Sequence, residues 1–427
     1  MDHYKKAMAA IKDYIQQAET PREQFSLGVE IEHFILQKHN LAAVSFFASP
    51  GIESTLREMT DLGWIPVYEG QHLVQLYKSW GSVTLEPGGQ VEISITPRTR
   101  VSEIEEFYRL FVADITTVLN KNGLVLAALG YQPSSTIDNI PMVPKQRYTY
   151  MYKYFADKGT LAHNMMKGTA SIQVSMDFSD QQDFRKKIQV ANYLTPLFYA
   201  CFDNSPFFEG NAWPGSSIRS EIWNQCDCQR CGITSLDCYG EYARHVLATP
   251  PIILRGENGF VYTGKTTMAD LLPKYPLDKT QLEHVLSMQF LDVRVRNYLE
   301  LRMGDALPLP HSLGYVALWK GLLYDDRNLE ELYAQAKNHD LQSLLRRQQQ
   351  IVGGGLEAVV GGEKVLDNLN CLLEMAERAL PADERHFLAP LQQLAAQGIV
   401  PKQQTLGNLH QGREAALQWC LVDNERG

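Results

Sequence analysis

The chain has 427 residues, a formal net charge of −9 at pH 7, 44% hydrophobic residues and 21% charged residues. That balance belongs to a folded globular protein with enough chain for a large core, and it excludes an extended disordered polymer. The acidic excess argues against nucleic acid or an anionic membrane surface as a partner, so a small acidic ligand would need a local cluster of Arg or Lys.

Residues 1–20, MDHYKKAMAAIKDYIQQAET, read as an amphipathic helix without the apolar core of a secretion signal. No apolar run approaches the ~18 residues of a membrane span. A cytoplasmic protein is expected. A strand follows at 27–37, then a helix at 51–63 closed by a C-terminal glycine. Residues 82–96 give two short strands around Pro-Gly-Gly, and 101–121 carry a helical apolar period with Gly123 just beyond. Strands are expected at 124–131 and 171–178, a helix at 181–202, a long polar loop at 210–240 and a strand at 290–303. From about 311 onward nearly everything reads as helix. The strands are half-polar and do not alternate regularly with helices. That pattern belongs to an antiparallel sheet, so the expected class is α+β: a curved antiparallel sheet, helices behind it, and a helical C-terminal portion over about 311–427.

Several strands share a charged face. In LGVEIEHFIL, Val29, Ile31 and Ile35 alternate with Glu30 and Glu32. In VTLEPGGQVEISIT, Val91, Ile93 and Ile95 alternate with Gln90, Glu92 and Ser94, and Glu86 precedes the Pro-Gly-Gly break. In SIQVSMDF, Ile172, Val174 and Met176 alternate with Gln173, Ser175 and Asp177. In VRVRNYLELRMG, Val293, Val295, Leu299 and Leu301 alternate with Arg294, Arg296, Tyr298, Glu300 and Arg302. Paired in one sheet, these strands would line a surface with carboxylates and guanidiniums. Carboxylates that converge without matching bases suit Mg²⁺ or Mn²⁺, and arginines beside them suit phosphate or carboxylate groups. Such a surface points to metal-assisted phosphoryl chemistry. The competing reading is a network of surface salt bridges, each worth about 0–1 kcal/mol.

LGVEIEHF, GSVTLEPGGQVEIS, IPMVPKQRYTYMYKYF, HNMMKGTASIQVSMDFS, NSPFFEG, RSEIW, RNYLELRMGDALP and ALWKGLLYD occur in that order. From about residue 25 to the C-terminal helices, the chain resembles the plant and proteobacterial type of glutamate–cysteine ligase, which includes the ligases that open ergothioneine synthesis. The resemblance implies one catalytic domain over 1–427 with a fold related to glutamine synthetase and guanido kinases, a funnel-shaped antiparallel sheet with helices outside. It implies that ATP phosphorylates the γ-carboxylate of glutamate and that the amino group of cysteine displaces the phosphate. On this resemblance Glu30, Glu32, Glu86, Glu92 and Glu300 are expected to hold Mg²⁺. Glu30, Glu32 and Arg302 would be catalytic, and Glu300, Arg302 and Gln173 would contact ATP. Arg147 and Arg219 would hold the amino-acid carboxylates, with Tyr148 and Trp223 lining the pocket. The partners would be small molecules, acting on a monomer or homodimer.

Other signals carry less. GGGLEA at 353–358 fits a loose dinucleotide pattern but lacks the preceding buried strand. His33 falls on the apolar side of its strand and reads as a packed residue. CDCQRCGITSLDC departs from the family: Cys226, Cys228, Cys231 and Cys238 could hold Zn²⁺ or an iron–sulfur cluster, form redox-active pairs, or stay reduced in a loop. Lys167-Gly168 also departs from plant members, which carry Arg there, and leaves the amine acceptor open. A related ligase with another acceptor and a non-catalytic protein on the same fold are the competing functions.

Overall fold

The alternation at 27–37 forms β1 (Leu27–Gln37), the strand on which the main sheet is built. The computed structural model describes residues 2–257 and 259–423. In chain order the other strands of the sheet are β2 (Ile65–Glu69), β3 (His72–Lys78), β4 (Gly81–Leu85), β5 (Val91–Arg98), β6 (Leu124–Ala127), β7 (Ser171–Met176), β8 (Val293–Val295), β9 (Leu299–Asp305) and β10 (Leu421–Val422). The order is β8-β9-β7-β1-β5-β4-β3-β2, ten strands in all with β6 on the far half of β1 and β10 on β6. Every pairing in this sheet is antiparallel, as the half-polar pattern requires.

The odd-numbered side chains of β1 bury against helices. Val29, Ile31, Ile93, Ile172, Val174, Leu299 and Leu301 are nearly or wholly buried in the main core. Helix Val101–Lys121 covers β5 and β6, helix Gln181–Cys201 covers β9, and helix Leu309–Leu323 covers β7. The first of these has the expected bounds because Ile104, Tyr108, Phe111, Ile115 and Val118 recur every three or four residues and are all buried. Glu103 accepts the Arg100 N–H at its start, and Gly123 reverses the chain at φ +67° after its end. His33 is packed, as read from sequence: it is fully buried and its Nε2 lies 2.7 Å from the Tyr108 hydroxyl. Burial lowers its pKa to about 4, so the ring stays neutral.

Several segments differ from the sequence reading. Residues 290–303 are a hairpin, not one strand: β8 pairs with β9 around the turn at 296–298. The stretch 210–240 contains helix Ile218–Asn224 as well as loop. The chain end does not stay helical, since β10 returns to the sheet.

Candidate active site

The opposite face of β1 points into a cavity of about 300 Å³. Glu30 and Glu32 from β1, Glu92 from β5 and Glu86 line one side. Glu32 stands directly across from Glu92 in the ladder, and Glu30 is paired with Ser94 on one side and Gln173 on the other. Like charges at such positions repel, so a sheet does not gather them for stability. Glu86 is fixed by the Pro-Gly-Gly turn. Its N–H donates to Gln90 O at 2.9 Å, and a Cβ on Gly88 would lie 2.3 Å from Lys167 O. The turn therefore docks against Lys167 only because Gly88 has no side chain.

Burial and mutual repulsion raise the acids' proton affinity. Glu32 is pushed up to about 8 by burial, then by Glu86 and Glu92, although Ser171 N–H (2.7 Å) and Gln173 Nε2 (3.0 Å) both donate to it. Glu92 rises to about 7 by burial and Glu86, against hydrogen bonds from Thr84 and Ser94. Glu30 is raised well above the ordinary range by burial, Glu92 and Glu300. Burial and crowding thus favour a proton or a cation on these carboxylates over the bare charge. The donor set is all oxygen and fits Mg²⁺ or Mn²⁺.

Bases face the acids across the cavity: Lys145, Arg147, Arg294, Arg296 and Arg302. Glu300 differs from its expected place. It is fully buried, and it lines neither this cavity nor the adjoining one. Its Oε2 lies 2.5 Å from Arg294 Nε and 3.0 Å from Arg302 Nη1. Burial raises its pKa, but the two guanidiniums outweigh that and hold it down to about 2. It orients the two arginines. Gln173 is likewise engaged, donating to Glu32 and accepting from Arg302.

A smaller cavity of about 70 Å³ adjoins the first, and the two share Glu32, Glu86, Met151, Phe290 and Arg302. Arg219 and Trp223 line it from helix Ile218–Asn224. The Arg219 guanidinium lies 4.2 Å over the Trp223 ring, and its Nη2 donates to Arg302 O at 2.8 Å. Its Nε and Nη1 are buried without a partner among the described residues. A carboxylate is the ligand such a group lacks. A recess of about 170 Å³ lies at Glu30, between Gly28, Ser94, Ser175 and Tyr298.

Residues 26–418 match the profile of glutamate-cysteine ligase family 2 (GCS2). The chain belongs to that family. A glutamate–cysteine ligase B of Oryza sativa subsp. japonica, described as chloroplastic, is 29% identical over 408 residues, covering 92% of this chain and 81% of the relative. A chloroplastic glutamate–cysteine ligase of Arabidopsis thaliana is 30% identical over 323 residues, 73% of this chain and 62% of the relative. The fold is similar to that of a Francisella tularensis glutamate–cysteine ligase solved with AMP, at TM-score 0.59 and 11% identity over 92% of this chain and 87% of that one. Among the described residues of this family 2 chain, no helix is long and apolar enough to cross a membrane.

Of the residues singled out from sequence, Glu30, Glu32, Glu86, Glu92, Arg147, Tyr148, Gln173 and Arg302 meet at the larger cavity. Arg219 and Trp223 meet at the smaller one, so the two arginines assigned to one substrate face different cavities. The Tyr148 hydroxyl is committed to Leu85 O at 2.7 Å, leaving only its ring for the cavity wall. Sequence reading passed over Lys145, Met151 and Phe290 as site residues, and placed Arg294 and Arg296 on the charged face without naming them in the site. Lys145 stood two positions before Arg147 in the family stretch, and the two arginines were on a strand already recognised as charged.

The four cysteines are not gathered at one point among the described residues. Cys226 and Cys231 are buried and share a hydrogen bond, whereas Cys228 is exposed. Cys238 sits apart with Asp237 and Glu241, the group of ligand-type atoms within 4.8 Å of one another found among the described residues. The reason is the intervening turn: Asp227 pairs with Arg230 at 3.0 Å, which turns Cys228 outward. Asp237 and Glu241 are themselves paired with Arg185 and Arg244. The native protein should therefore show rapid thiol titration at exposed Cys228 and Cys371, slow reaction at buried Cys201 and Cys420, and no stoichiometric zinc. One zinc per chain, retained through gel filtration and lost in Cys228→Ser, would contradict this arrangement.

The acids also set a pH dependence. Their folded pKa values are raised, so the folded state holds more protons than the unfolded one. The stability they contribute is present below the ordinary carboxylate pKa of 4.5 and is lost as pH rises through about 7 for Glu92 and about 8 for Glu32. Metal-free protein should melt lower at about pH 8.5 than at about pH 6, and Mg²⁺ should raise the melting temperature more at the higher pH. A melting temperature that climbs over this interval and ignores Mg²⁺ would refute the cation-binding assignment.

Proposed function

We propose that the protein is a cytoplasmic, ATP-dependent carboxylate–amine ligase that joins the γ-carboxylate of glutamate to the amino group of cysteine. One observation carries this reading: an acid-lined and base-lined cavity meets an arginine-clamped cavity at Glu32, Glu86 and Arg302. A phosphate chain and an amino acid can be brought into contact there. In this reading Glu30, Glu32, Glu86 and Glu92 hold the divalent cations, which when bound offset the charge of ATP and the acceptor carboxylate. Lys145, Arg147, Arg294, Arg296 and Arg302 face the phosphates. Arg219 on Trp223 receives the α-carboxylate, and the recess at Glu30 has room for the nucleoside. The γ-phosphoryl group passes to the γ-carboxylate oxygen and ADP leaves. The amine then attacks the acyl carbon, its N–C bond forms as the phosphate's C–O bond breaks, and the nitrogen gives up a proton. Positioning and charge do most of this work.

Met151, Met165, Met166 and Phe290 line the smaller cavity and suit a sulfur-bearing side chain. Lys167, expected to bear on the acceptor, lines neither cavity; its ammonium lies 5.9 Å over the Tyr152 ring. The test is ADP release with glutamate and a panel of amines, with and without Mg²⁺. Cysteine should give the highest kcat/KM, only with Mg²⁺. No ADP release with any amine would overturn the ligase reading, and preference for another amine would overturn the acceptor.

A further inference from the structure

Helix Ile218–Asn224, which carries Arg219, has seven residues, too few to set its own place, so its start must be tied to something else. Ser217, just before it, is 1% exposed and adopts φ +37°. That conformation crowds the Cβ of any residue but glycine, so a serine keeps it only where its surroundings impose it. A buried ion pair does so here. Asp203 Oδ2 accepts the Ser217 N–H at 2.7 Å, and Asp203 Oδ1 accepts the Ser205 N–H at 3.1 Å. Lys402, from helix Pro401–Gly407, has its Nζ 3.5 Å from Asp203 Oδ2, and the same ammonium donates to Gly215 O, two residues before Ser217. The Lys402 N–H donates to Asp203 O at 2.8 Å. Asp203 and Lys402 are both buried, and they line neither cavity.

A buried ion pair is a poor source of stability, because desolvation offsets its attraction. This one instead holds the chain on both sides of a strained residue, and such strain gathers where function needs a fixed geometry. Arg219 follows Ser217 by two residues, so a change of φ at Ser217 would swing Arg219 relative to Arg302 O, its partner on the sheet. We propose that Asp203 and Lys402 are positioning residues that keep Ser217 in its left-handed conformation and so aim Arg219 into the smaller cavity. This rests on the assignment of Arg219 under the proposed function.

The test is a kinetic cycle on the full chain. Lys402→Met keeps an unbranched side chain but removes the ammonium. It should raise the glutamate KM about tenfold while kcat and the ATP KM stay within about twofold. Ser217→Gly alone should leave the kinetics near wild type. Its melting temperature should stay close to wild type too, because relief of strain offsets the bond that Ser217 Oγ accepts from Ser220 N–H at 3.2 Å. In the Lys402→Met background, Ser217→Gly should bring the glutamate KM back to within about threefold of wild type, because glycine takes the left-handed conformation without the pair. A lysine that only stabilised the fold would show no such rescue. If Lys402→Met does not fold, Asp203→Asn combined with Lys402→Met leaves no buried charge behind and carries the same test. A wild-type glutamate KM without the pair, equal changes in both KM values, or no rescue by Ser217→Gly would overturn the proposal. A normal glutamate KM in Arg219→Lys would instead overturn the assignment of Arg219, and this proposal with it.

Discussion

Glu32→Gln should cost about a thousandfold in kcat, about 4 kcal/mol, while leaving the protein folded. Glu32 borders both cavities, so it stands where phosphoryl donor and acceptor would meet. The substitution keeps the shape and one acceptor for Ser171 N–H. It places an amide N–H₂ near Gln173 Nε2, and Gln173 has no easy flip because its Oε1 accepts from Arg302. Against that loss stands the removal of a buried acid that repels Glu86 and Glu92. The two oppose each other, so the melting temperature without metal should move by only a few degrees, about 1 kcal/mol either way. The measurement is kcat at saturating Mg²⁺ together with a thermal melt. An unchanged kcat would sink the role given to Glu32.

Arg219→Lys should raise the glutamate KM about a hundredfold and leave the ATP KM near its wild-type value. The side chain is 2% exposed, and two of its three nitrogens lack partners among the described residues. Lysine retains the charge but loses the planar fork, the stacking on Trp223 and the reach to Arg302 O at 2.8 Å. Losing two charge-assisted hydrogen bonds to a carboxylate accounts for the size. Steady-state kinetics varying each substrate in turn decides it, and equal shifts in both KM values would count against the clamp.

Much of this arrangement was legible in the chain. Period-two alternation set β1 at its full length, because one of its faces is apolar core and a slip by one residue would turn its glutamates into that core. The hairpin at 290–303 escaped because its pairing conserves parity. Val295 faces Leu299 and Val293 faces Leu301, so odd positions stay apolar straight through the turn. The hairpin of β2 and β3 also escaped, since β2 is an edge strand with no buried side chain to mark its inner face, although Gly70 at φ +62° sits in its turn. Which cavity an arginine faces was beyond any local pattern. Arg147 and Arg219 both sit near helix starts, and only the packing of those helices over the sheet separates them.

The central strand of the sheet is made long before some of the strands that complete it. Glu30, Glu32, Glu86 and Glu92 lie within about sixty residues of one another, but Arg294 and Arg302 follow some two hundred residues later. At ordinary elongation rates that gap lasts about 10–40 s. Until then β1 has β5 on one side, while β7 lacks β9 and the acids lack the arginines that β8 and β9 bring. Such pairings close late and slowly because their loops are long. The growing chain thus carries a cluster of acids faced first by Lys145 and Arg147, and its remaining counter-charge arrives only with the second half of the sheet.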